Sequence, residues 1–205
     1  MNRKGIIISA IISLFLFHCA SGSGSIRKGQ RYSPNSGLFS VPAPVGYGGR
    51  YDETAHSVAF YDDMLEFYRI DYGRLDPGKA AILDEKPIEQ QLMAFGAIEF
   101  LEPLKENVPG TRLIHREFID NGPEKLFLMV ILIPEGSTYA INGSRQDVER
   151  GLLFFRRQDH MFILHTQYAP NIFSMGQEKS VSTDEKVAQV RNKLLSFRAS
   201  LNINL

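Results

Sequence analysis

Tryptophan is absent from the 205 residues, and cysteine occurs once, at Cys19. A single cysteine excludes an intramolecular disulfide and any zinc site built on paired cysteines. An excess of either charge is missing too: 23 basic and 23 acidic residues give a formal net charge of zero. A general nucleic-acid binder needs surplus cations to displace phosphate counterions, so no nucleic-acid partner is expected. No apolar run reaches the roughly 20 residues a helix needs to cross a bilayer.

Catalytic signatures are equally scarce. There is no Gly-x-Ser-x-Gly elbow, no His-Glu-x-x-His pair and no calcium-loop pattern. His160 and His165 lie in one strand at odd separation, which turns them to opposite faces. His56 and His115 have no local partners. Asp62-Asp63 and Asp184-Glu185 suit a turn and a helix start, where carboxylates cap backbone N–H groups. Gly46 to Gly49 lacks the strand–helix setting of a phosphate loop. No catalytic residue, metal or cofactor is therefore expected.

What the chain does have begins at its N-terminus. Arg3 and Lys4 precede an uncharged apolar stretch from Gly5 to Phe17, followed by small polar residues from Ala20 to Ser25. This is the layout of a cleaved export signal, assigned to 1–18. Leu16-Phe17-His18-Cys19 resembles the lipobox of bacterial lipoproteins, although Phe17 and His18 are bulkier than that family prefers. The resemblance implies acylation of Cys19 and anchoring to the cell envelope, with Ala20 favouring the outer membrane where one exists. Residues 19–37, rich in Ser, Gly and Arg, are expected to form a flexible lipidated tether, and 38–205 one folded domain. With 43% hydrophobic residues that domain can bury a core.

Within it, strands are expected at Leu38–Val41, Ser57–Tyr61 and Glu66–Tyr72, with Gly46 to Tyr51 as a loop. A helix is expected from Pro87 to about Leu104, with Pro103 near its end. Arg112–Ile119 and Lys125–Ile133 flank the turn Asp120-Asn121-Gly122-Pro123, and Leu152–Arg157 and Met161–Gln167 form a second hairpin. Leu126 to Ile133 is apolar without alternation, which predicts a strand covered on both faces. Asp184 to Leu201 is a helix, with Ser182 and Glu185 at capping-box spacing. The expected architecture is α+β: an antiparallel sheet of six to seven strands with helices on both faces.

Leu38-Phe39-Ser40-Val41-Pro42-Ala43-Pro44, Val58-Ala59-Phe60-Tyr61-Asp62 and the closing Leu195-Ser196-Phe197-Arg198 resemble the PsbP-like fold. That fold is shared by the extrinsic PsbP protein of photosystem II and a Ran-binding nuclear import factor. The resemblance implies a binding or assembly factor and carries over no functional residues. The expected function is a lipid-anchored, non-enzymatic envelope accessory protein that binds another protein. The alternative is a carrier for an apolar ligand between sheet and helix; an envelope hydrolase ranks third. Tyr47, Arg50 and Tyr51, in a glycine-rich loop, are candidate partner contacts because exposed aromatics and arginine are enriched at hot spots. Tyr139 and Tyr168 are further loop candidates.

Overall fold

The computed structural model describes residues 22–138, 140–141, 143–170 and 181–205. The expected signal peptide (1–18) and Cys19 lie outside the described residues, as does Tyr139. An eight-stranded antiparallel sheet forms the centre, in the order β1-β4-β5-β6-β12-β11-β8-β7. Its strands are β1 (Gly22–Ser25), β4 (Arg50–Glu53), β5 (Ser57–Tyr61), β6 (Phe67–Arg74), β7 (Arg112–Asn121), β8 (Glu124–Ile133), β11 (Val148–Arg157) and β12 (His160–Gln167). A small sheet joins β2 (Arg31–Tyr32), β3 (Phe39–Pro42) and β13 (Asn202–Ile203), while β9 (Ala140–Ile141) pairs with β10 (Ser144–Arg145).

Helices cover both faces. The long α4 (Thr183–Ser200) places Val190, Leu194 and Phe197 on a core that includes Leu128, Val130, Leu153 and Phe162. On the opposite face, α1 (Pro77–Asp84), α2 (Ile88–Ala94), a π-helical segment (Phe95–Leu101) and α3 (Glu102–Asn107) enclose a second core. Even-numbered residues of β8 face α4 and odd-numbered ones face the second core, so the unalternating apolar run is buried twice over. Both expected hairpins are present, although β7 shifts register between Leu113 and His115 and pairs Asp120 and Asn121 with β8, which leaves Gly122-Pro123 as the turn. The capping box is formed as well: Ser182 Oγ accepts from Glu185 N, and Ser182 N donates to Glu185 Oε2.

Four expectations need correction. The flexible tether does not extend to Gly37: β1 pairs with β4, and Ile26 and Tyr32 are buried in the first core. Tyr32 Oη donates to buried Glu53 at 2.6 Å, and Asn35 N donates to the same carboxylate. Backbone pairing and one buried hydrogen bond order this stretch without any hydrophobic period. Secondly, Arg50–Glu53 is a strand rather than loop, which with β1 raises the count to eight.

Thirdly, α1 is an additional helix, set by Asp76, which caps Gly78 N and Lys79 N, and by Pro77 in its first turn. Finally, Pro103 does not end its helix, which continues to Asn107. Proline follows a wide turn in which Glu102 N donates to Ala97 O, five residues back. The widening has a packing cause: Phe95 and Phe100, five apart, both lay their rings against Phe154, at 6.4 and 6.0 Å. A regular helix would turn one of them away.

Candidate functional site

The alternation of β6 builds one wall of a cavity. Tyr68, Ile70 and Tyr72 point into the first core, so Arg69 and Asp71 turn to the other face. There, α1 and the π-helical segment stand over β6 and β12 and leave a cavity of about 530 Å3. This lies within the roughly 300–1,000 Å3 of small-molecule sites. Leu75, Leu83, Phe95, Phe100, Met161 and Ile163 make it largely apolar, with Ile82 and Ile98 at its mouth, 65% and 66% exposed. Alpha-1 itself has no buried residue, and only Ala80 and Leu83 pack partly against the second core.

The polar wall is self-paired. Arg69 Nε and Nη2 both lie 2.7 Å from Asp71 Oδ1, and His165 Nε2 lies 2.6 Å from Asp71 Oδ2. Behind them Arg150 Nη2 donates to Gly136 O, and its guanidinium lies over the Phe67 ring. Burial, then Arg69 and Arg145, pulls the Arg150 guanidinium down to about 10, still charged at neutral pH. Burial raises the Asp71 carboxyl, but His165 and Arg69 outweigh it and hold it below 3.8. For His165 burial dominates, aided by Arg69 and Arg150, and pushes the imidazole below 6.5 despite Asp71. A neutral His165 against an ionised Asp71 is the consistent state.

A pH dependence follows. The unfolded chain takes up a proton on His165 more readily than the folded one, so stability falls as pH drops below about 6.5. The Asp71 contribution, from a depressed carboxyl, is lost only further into acid, as pH falls from about 3.8 through its folded value. Replacing His165→Gln is expected to flatten the first limb and to shrink the second, because His165 helps hold the Asp71 carboxyl down, measured as urea midpoints from neutral to acid pH.

The remaining histidines among the described residues stay apart. His160 faces Asp159 at 2.8 Å from the opposite side of β12, and His115 approaches Glu117 at 3.4 Å on β7. His56 lines the cavity. No group of three or more potential metal ligands exists among the described residues. The Tyr47-Arg50-Tyr51 candidates are divided. Tyr47 is 76% exposed, Arg50 is engaged by Asp63 at 2.5 Å, and Tyr51 turns inward to within 5.0 Å of the Tyr32 ring. Tyr168 packs partly on the first core. None of these lines the cavity. Sequence reasoning missed it because α1 was unread and Asp71 and His165 meet only through β6–β12 pairing.

No protein-family profile matches the sequence, and no curated protein matches it. Solved structures do. The solution structure of cyanobacterial PsbP (CyanoP) from Synechocystis sp. PCC 6803 superposes with a TM-score of 0.55 at 12% identity, covering 92% of this chain and 99% of that one. The chain has a PsbP-like fold. The Ran-binding protein Mog1p of Saccharomyces cerevisiae agrees, with a TM-score of 0.53 at 10% identity over 87% of this chain and 96% of its own. At such identities the PsbP-like likeness concerns architecture: the central sheet with α4 on one face and the shorter helices on the other.

Proposed function

We propose that this chain is a non-enzymatic accessory protein of the bacterial cell envelope, exported and anchored through acylated Cys19, that binds another protein. One observation carries the choice of surface. Of the six large apolar side chains that are exposed among the described residues, Ile82, Met93 and Ile98 lie on the short helices over the second core. Apolar groups gathered on one layer mark an interaction site more often than scattered ones do. Mog1p, of the same fold, is a Ran-binding protein, which supports a protein partner. The His165–Asp71 pair lacks a serine or cysteine among the cavity-lining residues, which favours binding over hydrolysis.

Crosslinking in intact envelopes should recover a partner with the native chain and lose it with the Ile82→Asp/Ile98→Asp variant. Equal recovery from both would overturn the assignment of the surface. Mass spectrometry of the mature protein should find an acylated N-terminal Cys19; an unmodified terminus elsewhere would overturn the anchor, since firm attachment takes two or more acyl chains.

A second reading, a carrier for an apolar ligand, is favoured by the cavity beneath the same mouth. Its lining is apolar apart from a few polar groups, as in small-molecule sites.

A further inference from the structure

The cavity opens at the end of the sheet from which the chain leads back to Cys19. Gly22 pairs with Glu53, Glu53 with Val58, and Val58 with Ile70. Further along these strands, toward the same end, lie the His56 turn, Asp71, Tyr72 and Arg74, all of which line the cavity. Tyr72 N donates to His56 O across that end. From Cys19 to Gly22 is three residues, at most about 11 Å of fully extended chain. β1 and β6 are three strand spacings apart, about 14 Å. An anchor at Cys19 therefore holds the cavity mouth close to the bilayer surface.

The helix that roofs the cavity lacks support of its own. Helices in proteins draw most of their stability from a buried apolar face, yet α1 buries no residue completely. Its ends are tied by polar contacts: Leu75 N donates to Asp159 O before it, and Asp84 accepts from Arg156 at 2.6 Å at its last turn. Ile82 and Leu83 on α1 face Phe95 and Ile98 across empty space. Something apolar would complete that packing. The charged groups of the wall are mostly spent on one another, as Arg69 with Asp71 and Arg74 with Asp159, or on the cap that Asp76 forms. They do not demand a polar occupant. Lys79, His56 and Glu99 line the cavity with no side-chain partner among the described residues, available to a headgroup left at the mouth.

We infer that the cavity holds a single acyl chain of a membrane amphiphile, inserted from the bilayer between α1 and the π-helical segment with its headgroup at the mouth. This rests on the anchoring at Cys19 and on the ligand reading given second above. A protein partner at the mouth would then be sensitive to whether the cavity is filled.

The test uses saturated fatty acids of graded length as probes, titrated calorimetrically into the mature protein below their micellar concentrations. Affinity should rise about fourfold per added methylene, equivalent to about 0.8 kcal/mol, and level off once the cavity is full. Leu83→Asp, in the wall, should weaken binding at least tenfold. Phe118→Asp, exposed but outside the cavity, should leave it unchanged. Binding without chain-length dependence, or an equal loss from Phe118→Asp, would overturn the inference as mere surface adsorption.

A second arm addresses the source. Uptake of a labelled acyl chain from phosphatidylglycerol-containing vesicles should be faster for the lipidated protein than for Cys19→Ala. Equal rates would overturn entry from the anchoring membrane. Neither arm uses a protein partner, so failure of the partner assignment remains separately visible.

Discussion

Phe154→Ala should lower stability by about 3–5 kcal/mol, the cost of emptying a fully buried aromatic site. Phe154 is completely buried on β11, and the rings of Phe95, Phe100 and Phe127 all lie within 6.4 Å of it. Two of those rings belong to the π-helical segment. Their removal from a shared seat should also release the wide turn and let the cavity collapse. Urea unfolding would show the midpoint shift with an unchanged slope, and the acyl-chain affinity should fall in parallel. Phe154→Leu, which keeps most of the volume, should cost less than half as much. A loss below about 1 kcal/mol for the alanine variant would mean that the segment is held elsewhere.

An effect of similar size is expected on the opposite face. Glu124 and Arg198 form an ion pair at 2.6 Å with side-chain exposures of only 5% and 14%, and the guanidinium stacks on Phe155 at 4.5 Å. Removing one member leaves the other charge buried alone, which costs about 3–5 kcal/mol. Glu124→Ala is therefore expected to destabilise the C-terminal turn of α4 strongly. Replacing both, as Glu124→Leu/Arg198→Met, removes the stranded charge and should restore most of the loss. Thermal denaturation of the single and double variants decides between a pair that stabilises outright and one that is costly only when broken. If the double variant were as unstable as the single one, the pair itself would be supplying the stability.

The parts of the fold legible in the sequence are those whose period survives in three dimensions. Leu126 to Ile133 announced a strand buried on both sides, and Ser182 with Glu185 announced the start of α4, because both signals are local. The parts that were missed depend on partners distant in sequence. Gly22 to Ser25 carries no hydrophobic pattern and becomes a strand only because β4 offers a free edge. The π-helical segment leaves one trace: the apolar stripe of Ile88, Leu92 and Phe95 slips at Glu99. That slip signals a change of phase, but only the two rings on Phe154 explain its direction. For the site, strand alternation correctly separated His160 from His165. It could not pair His165 with Asp71, since that contact joins strands almost a hundred residues apart. Tyr47, Arg50 and Tyr51 were grouped by adjacency, whereas β4 turns Tyr51 to the core and leaves Tyr47 outside.

The three-stranded sheet that ties β13 to β3 and β3 to β2 bears on how the molecule folds. Leu201, beside its strand β13, is buried in the first core. Asn204 N also donates to Leu38 O, joining the tail to the start of β3. This sheet can close only once β2 and β3, near the start of the described residues, have met β13 near their end. Contacts so distant in sequence form slowly, because loop closure costs entropy before they reward it, so this small sheet is a late event of folding.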